Sequence, residues 1–230
     1  MKSPLSLIAG GTGLVGSHVI KALSKKSGAQ IILARSFDSE IPQNADLQII
    51  NFDSLSSNKV KLKNDIDHVY LCLGKRLSTH ELGYMQHSAR ESFKLIDFEY
   101  PLSIAKLAYD SGARSIALVS AVGAQEGSFN YYFHIKGKLE NEIKKIGYEN
   151  ICFARPGHLL GARKDFRGYE IPILESGLRI AAPFMQGPLK NFRQIEARKV
   201  AESMVMNLLN KQKGESYLHY EDFLKTEIFE

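Results

Sequence analysis

Short apolar runs alternate with amphipathic stretches of helical periodicity through most of the chain. The runs that predict β-strands are Leu5–Ala9, Gln30–Ala34, Leu47–Asn51, His68–Leu73, Ser115–Ser120 and Asn150–Ala154. The patterns that predict helices cover Val15–Lys25, Ser88–Ser111, Tyr131–Ile146 and residues 195–210. Several strand runs, such as IILA and VYLCL, are apolar throughout, which is typical of strands covered by helices on both faces. The alternation predicts an α/β fold with a doubly wound parallel sheet, a Rossmann fold.

Two features interrupt this rhythm. Tyr100–Pro101 lies inside the Ser88–Ser111 stretch and predicts either a kink or a new helix that starts there. Residues 161–195 are rich in glycine, proline, aromatic residues and arginine, and we expect them to form a small irregular lobe on the substrate side. Five residues of this lobe could line a substrate pocket of mixed apolar and basic character, or could equally form the core and the surface charge of the lobe: Phe166, Arg167, Arg179, Phe184 and Met185. Because no repeat or linker is present, residues 1–230 are predicted to form a single domain.

The most informative segment is LSLIAGGTGLVG, residues 5–16, a strand-like run that meets a glycine turn and opens a helix. Such a turn aims backbone N–H groups and the positive end of a helix dipole at an anion, typically a dinucleotide pyrophosphate. Gly10 would permit the tight turn, and Gly13 would let the backbone approach the phosphates. Gly16 would let the helix pack closely on the strand. The sequence therefore predicts a dinucleotide site, against the alternative of an ordinary strand-to-helix turn.

Residues at the ends of the next strands refine this prediction. Arg35-Ser36 follows the second strand, where an NAD site usually carries an acidic residue, and Arg suits a 2′-phosphate, so NADP is favoured over NAD. Asp53 follows the third strand and fits either a contact to adenine or a helix cap. Leu73-Gly74 ends the fourth strand, where a small residue would let a coenzyme pass.

A candidate catalytic set lies at the same predicted edge of the sheet. Tyr132 and Lys136 are four residues apart and share one helix face, and Ser120 ends the fifth strand. A nearby ammonium stabilises a phenolate, so we expect Lys136 to lower the pKa of Tyr132 toward neutrality. Tyr132 would then donate or accept the proton, Lys136 would adjust the pKa of Tyr132, and Ser120 would bind the substrate carbonyl. The alternative is an exposed Tyr/Lys pair; Tyr131, the rival phenol, has no Lys four residues on.

Composition narrows the class of protein. The chain has 230 residues, 44% of them hydrophobic, and a formal net charge of +5. That modest, dispersed surplus argues against nucleic-acid binding, and no apolar run is long enough to span a bilayer. The two cysteines, Cys72 and Cys152, lie in strand-like runs and are predicted to be buried free thiols, and no metal-ligand spacing occurs. An N-terminus that runs straight into the glycine turn predicts no signal peptide and hence a cytoplasmic protein.

The segments GGTGLVG, LCLG, LVSAVGA, YFHIKGKLE and ARPGHLLG, in this order and spacing, resemble the atypical short-chain dehydrogenase/reductases. Within them the chain is similar to the Tat-interacting protein oxidoreductase group. The resemblance covers about residues 5–210 and implies a Rossmann fold that binds NADPH.

The resemblance also implies a role for particular residues. It places the coenzyme phosphates on Thr12, Gly13, Leu14 and Val15, and the 2′-phosphate on Arg35 and Ser36. It places Leu73 and Gly74 near the ribose and nicotinamide. It places Leu159 and Arg167 near the nicotinamide end of the coenzyme and the substrate opening. Tyr132 would be the proton acceptor, with Lys136 beside it.

The chain departs from the family pattern at two points. Ala121 stands where a second serine often follows Ser120, and the asparagine of the family's proton relay has no clear match. The leading hypothesis is an NADPH-dependent oxidoreductase acting on a small carbonyl or alcohol. The alternatives are an NADPH-sensing protein that docks a partner, and a sugar-nucleotide epimerase or dehydratase. A homodimer or a protein partner is compatible with the sequence.

Overall fold

The computed structural model describes residues 4–26, 28–37, 40–57, 62, 65–161, 185–210 and 213–225. They form a seven-stranded sheet in the order β3-β2-β1-β4-β5-β6-β9, in which every neighbouring pair is parallel. The strands are β1 Leu5–Ala9, β2 Ala29–Ala34, β3 Ala45–Ile49, β4 His68–Leu71, β5 Ser115–Val119, β6 Asn150–Ala154 and β9 Gly214–Leu218. Two short strands, β7 Leu159–Leu160 and β8 Ile195–Glu196, pair separately. The strand order reverses between β1 and β4, which is where doubly wound folds bind their ligands.

Helices cover both faces of this sheet. The helices are α1 Leu14–Lys25, α2 Thr79–Gly83, α3 His87–Lys94, α4 Tyr100–Asp110, α5 Tyr131–Lys144, α6 Ala197–Leu209 and α7 Tyr220–Lys225, with 3₁₀ turns at Phe52–Ser57 and Gly187–Phe192. Alternate strand residues enter two separate cores: Leu7 packs with α4 and α5, and Ile8 packs with α1 and α6. The doubly wound α/β fold predicted from the sequence is confirmed.

Differences from the predicted elements are confined to short or polar segments. The predicted strand Leu47–Asn51 is shifted to Ala45–Ile49, and the other predicted strands agree within two residues. The edge strand β9 was not predicted, because GESYL has only a weak apolar pattern and is largely exposed at its start. Of the predicted lobe, residues 162–184 lie outside the described part of the chain, and with them Phe166, Arg167, Arg179 and Phe184.

The predicted interruption at Tyr100–Pro101 is present as a π turn, Leu95–Glu99, that joins α3 to α4. Proline has no N–H to donate, and its ring clashes with the carbonyl four residues earlier, which here belongs to Asp97. A widened turn relieves that clash without ending the helix. The turn also brings Asp97 into the protein interior, where only 1% of its surface is exposed.

Three further features of the described residues concern the thiols, the length of the helices and the metal-ligating side chains. Both cysteines are free, and Cys152 is buried as predicted, whereas Cys72 is only half-buried. Desolvation raises the pKa of each thiol to about 12. No helix among the described residues is long and apolar enough to cross a membrane. Within the same ranges, no group of three or more His, Cys, Asp and Glu side chains is arranged to hold a metal ion.

Candidate functional site

The glycine turn lies at the reversal of strand order. Gly10 has φ +87°, and a Cβ there would lie 2.5 Å from the carbonyl oxygen of Cys72, just past β4. A Cβ on Gly16 would lie 2.1 Å from the carbonyl oxygen of Gly10. A side chain on Gly10 would therefore be strained and would collide with the loop after β4, whereas one on Gly16 would push α1 away from the glycine turn.

Helix α1 begins at Leu14 with Gly13 as its cap residue, and no side chain hydrogen-bonds to the cap. Its first-turn N–H groups thus suit an anion, and Thr12 lies exposed beside them while Val15 is buried. A Cβ on Gly161 would lie 2.6 Å from Leu14 Cδ1, so the end of β7, with half-buried Leu159, lies over the start of α1. Arg167 lies outside the described residues.

The loops after β2 and β3 form the predicted adenosine end of the site. Arg35 and Ser36 are exposed beyond β2. Asp53 belongs to the 3₁₀ turn, its N–H donates to the side chain of Asn51 at 3.0 Å, and its carboxylate accepts a hydrogen bond from the Tyr100 hydroxyl. Asn51 therefore caps this turn, and Asp53 instead binds a tyrosine, a partner that the sequence did not indicate.

Tyr132 and Lys136 lie on the first two turns of α5. Asn130 caps this helix by accepting hydrogen bonds from the N–H groups of Tyr132, at 2.9 Å, and Phe133. Lys136 is buried, with its Nζ 6.0 Å from the centre of the Tyr132 ring. The phenol ring also packs near Phe93, with ring centres 5.7 Å apart. The two side chains therefore share a face, as the spacing predicts.

Asp97 joins this pair to the loop that follows β4. Its Oδ1 lies 2.8 Å from Lys136 Nζ, and its Oδ2 accepts a hydrogen bond of 2.7 Å from the Lys75 N–H. Leu73 and Gly74, the predicted ribose contacts, directly precede Lys75, and Gly74 is exposed. The glycine turn, the β4 loop, Asp97 and the Tyr132–Lys136 pair therefore form one contiguous group of residues.

The pKa of Tyr132 differs from the sequence expectation. Burial raises this pKa above the usual value for a phenol. The positive charge of Lys136 lowers the pKa, as expected, and the negative charge of Asp97 raises it. The prediction that Lys136 moves the pKa of this phenol down toward neutrality is therefore wrong, because burial outweighs the ammonium. Burial lowers the pKa of Lys136, but the charges of Asp97 and neighbouring groups outweigh it, so the net pKa is raised.

Ser120 has a partner that the sequence did not indicate. It lies just past the end of β5 and is buried, but its hydroxyl donates a hydrogen bond of 2.5 Å to Glu140, one turn beyond Lys136 on α5. Glu140 in turn pairs with Arg155, whose Nε donates to it at 2.9 Å. The Ser120 hydroxyl is thus hydrogen-bonded within the protein, and its role as the anchor of a substrate carbonyl stays a prediction.

Two buried carboxylates were missed by sequence reasoning. Asp97 carries only the weak signal of a lone acid between Ile96 and Phe98 in an amphipathic helix, and Glu140 that of an acid four residues after Lys136. Neither signal specifies a partner, because both partners come from distant parts of the chain.

The fold and the glycine turn define a dinucleotide-binding protein of the Rossmann class. The chain belongs to the NAD dependent epimerase/dehydratase family, whose model matches residues 6–168. This membership confirms the predicted family resemblance at the level of the wider dehydrogenase/reductase group. It also confirms a nicotinamide coenzyme and an NAD(P)-dependent activity of oxidoreductase or epimerase type.

Curated relatives include "Protein FMP52, mitochondrial" of Candida albicans, 29% identical over 210 residues and covering 89% of both chains. The Kluyveromyces lactis protein of the same name is 30% identical over 168 residues, or 71% of each chain. Because these relatives are named mitochondrial, the prediction of a cytoplasmic location is contradicted. The absence of a recognisable secretory signal was not sufficient to assign the compartment.

Solved structures support the fold. A UDP-N-acetylglucosamine 4-epimerase from Bacillus cereus superposes with a TM-score of 0.62 at 18% identity, covering 94% of this chain and 76% of its own. A short-chain dehydrogenase from Streptomyces avermitilis superposes with a TM-score of 0.61 at 16% identity, covering 96% and 90%. The Bordetella bronchiseptica enzyme WbmG, solved in complex with NAD, has a TM-score of 0.61 at 12% identity, covering 94% and 73%.

Proposed function

We propose that this chain is an NADPH-dependent oxidoreductase that acts on a small carbonyl or alcohol, with Tyr132 as the group that moves the proton. The observation that carries the proposal is the contact of Lys136 with both Tyr132 and Asp97, in a group of residues continuous with the glycine turn. A buried ammonium beside a phenol supports reversible proton transfer at that phenol.

The residues present fit a nicotinamide coenzyme. Helix α1 has no side-chain cap, so its first N–H groups suit the pyrophosphate, and Gly10 and Gly16 keep that helix end close to the sheet. When bound, the coenzyme supplies the hydride donor or acceptor. The exposed guanidinium of Arg35, with the hydroxyl of Ser36, suits a 2′-phosphate and supports NADP as the preferred form.

Side chains of the protein would supply the proton that the reaction needs. In the reducing direction, the neutral Tyr132 hydroxyl would donate to the substrate oxygen as that oxygen gains negative charge. The raised pKa of Tyr132 keeps the phenol protonated at neutral pH, and the charge of Lys136 stabilises the phenolate that donation leaves. These properties favour carbonyl reduction over alcohol oxidation near neutral pH.

The test compares Tyr132→Phe with Tyr131→Phe, a matched control in the neighbouring phenol. NADPH binding is followed by fluorescence, and turnover by the loss of NADPH absorbance against a panel of small aldehydes and ketones. We expect Tyr132→Phe to bind NADPH normally and to lose turnover, while Tyr131→Phe keeps both. Full turnover by Tyr132→Phe would refute the assignment of the proton donor.

The engaged hydroxyl of Ser120 supports a second candidate function, a coenzyme-sensing protein with little turnover. Tight NADPH binding by the wild-type protein with no oxidation by any carbonyl in the panel would favour that candidate. The family's description keeps sugar-nucleotide epimerase or dehydratase chemistry as a third. Conversion of a UDP-hexose without net change in coenzyme absorbance would favour it.

We also propose a mitochondrial location, which rests on the names of the relatives. Co-fractionation of the tagged protein with mitochondrial markers would support this location, and its recovery in the soluble cytosolic fraction alone would refute it.

A further inference from the structure

A buried carboxylate lies between the two halves of the proposed site. Asp97 is 1% exposed, and both of its oxygens have a partner: Lys136 Nζ at 2.8 Å and the Lys75 N–H at 2.7 Å. The first partner belongs to α5, next to Tyr132, and the second to the loop after β4. One side chain therefore connects the proposed proton-transfer pair to the loop proposed to hold the coenzyme.

The backbone around Asp97 fixes its position. It lies in the middle of the π turn Leu95–Glu99, and Pro101 stands four residues further on. An ordinary α-helix would bring the proline ring against the Asp97 carbonyl, and the wide turn avoids that clash. Wide turns of this kind occur frequently at functional sites. Gly74 is the residue that faces the carboxylate, since a Cβ there would lie 3.4 Å from Asp97 Oδ1.

Few charged groups influence the pair formed by Tyr132 and Lys136. Lys136 is influenced by Asp97, by Tyr132 on its own helix and by Glu140 one turn further on. Tyr132 is influenced by Lys136 and Asp97. Glu140 is already paired with Arg155, just past the end of β6, and Asp97 is the carboxylate in direct contact with the ammonium. Removing that single charge would leave a buried ammonium without its counterion.

We propose that Asp97 is a positioning residue that holds Lys136 charged beside Tyr132 and ties this pair to the coenzyme loop through the Lys75 backbone. The inference rests on the proposed function for its catalytic consequence, whereas its structural consequence is independent of turnover. With Asp97 absent, the first proton leaves the Tyr132–Lys136 pair at a lower pH, whichever of the two groups loses it. The β4 loop also loses the carboxylate that anchors it.

The test uses Asp97→Asn, with Glu99→Gln as a matched control. Glu99 lies in the same π turn, but its carboxylate is half-exposed and pairs with Lys94 at the surface. In coenzyme-free protein, NMR of the lysine ¹³Cε groups follows the charge of Lys136, assigned by its absence from Lys136→Met. We expect Lys136 to lose its proton at least about one pH unit lower in Asp97→Asn, and at the wild-type pH in Glu99→Gln.

Two functional readouts separate this inference from the proposed function. The alkaline limb of NADPH-dependent carbonyl reduction should shift down by about one pH unit in Asp97→Asn, and the Kd for NADPH should rise severalfold. Failure of the wild-type protein to bind NADPH would overturn the proposed function alone. An unshifted Lys136 titration in Asp97→Asn would overturn the role of Asp97, whatever the activity.

A folding defect in Asp97→Asn is also informative. If the contact is as direct as the structure indicates, the double variant Asp97→Asn/Lys136→Met should recover part of the lost Tm, because it removes both members of the buried pair. Strictly additive losses in Tm would overturn the proposal, since they would show that the two side chains are not coupled.

Discussion

Replacement of Gly16 by alanine tests whether close packing of α1 on the sheet builds the glycine turn. The new Cβ would lie 2.1 Å from the Gly10 carbonyl oxygen, 2.8 Å from its carbon and 3.0 Å from the Gly11 Cα. All three atoms belong to the backbone, so no side chain can rotate away. Helix α1 must instead move by about 1 Å, because Cβ contacts closer than 3.0 Å essentially do not occur.

The magnitude follows from two opposing effects. Overpacking costs about 1–3 kcal/mol and occasionally more, while alanine in a helix gains up to about 1 kcal/mol over glycine. A clash with rigid backbone belongs at the upper end of the first range, so we expect a net loss of about 2 kcal/mol. For a chain of this length that corresponds to a fall in Tm of about 4–8 °C.

Urea unfolding and NADPH titration provide the assay. A displaced helix end would lose charge-assisted hydrogen bonds to the pyrophosphate, so we expect the Kd for NADPH to rise about tenfold or more. The control is Gly83→Ala, at the end of α2, where a Cβ would meet nothing within 4 Å. That variant should stay within about 0.5 kcal/mol of wild type. Wild-type stability and NADPH affinity in Gly16→Ala would refute the packing argument.

Further predictions concern the buried charge, the coenzyme and the thiols. Lys136→Met leaves the Asp97 carboxylate buried without its ammonium partner, so urea unfolding near pH 7 should show a loss of about 3–5 kcal/mol. Folding raises the pKa of Lys136, so the stability that this side chain contributes is fully present below about pH 10.5. That stability is lost as the pH rises through the higher pKa of the folded state. The urea midpoint of Lys136→Met should therefore lack this fall at alkaline pH. Arg35→Ala should weaken NADPH binding about tenfold or more and leave NADH binding unchanged, as measured by fluorescence titration; equal losses for both coenzymes would exclude a 2′-phosphate contact. Cys152, with its pKa raised to about 12 by burial, should not react with a thiol reagent at pH 8 until urea is added; fast reaction of the folded protein would contradict its burial.

The fold was predictable because apolar strand runs and helical periodicity agree along the first two thirds of the chain. Residues Leu5–Ala9 and Asn150–Ala154 form strands with the predicted bounds. The edge strand β9 escaped prediction because one side of an edge strand has no neighbour, so its sequence needs less apolar character. The π turn was predictable only as an interruption, since Pro101 indicates that a regular helix is disturbed but not how.

The candidate site was predictable where a single motif specifies local geometry. The positions of Gly10 and Gly16, and the shared face of Tyr132 and Lys136, follow from short-range spacing. The partners of Asp97 and the hydrogen bond from Ser120 to Glu140 depend on residues 20 or more positions away in sequence. The expected pKa shift of Tyr132 is also reversed, because burial outweighs the effect of Lys136 and the distant Asp97 adds to burial.

The most direct test of the account is a calorimetric titration of the purified protein with NADPH, NADP⁺, NADH and NAD⁺ in turn. The account predicts saturable binding of one coenzyme molecule per chain, tighter for the two phosphorylated forms. Absence of binding heat with all four coenzymes over a range of temperatures would contradict the assignment of the glycine turn as a coenzyme site.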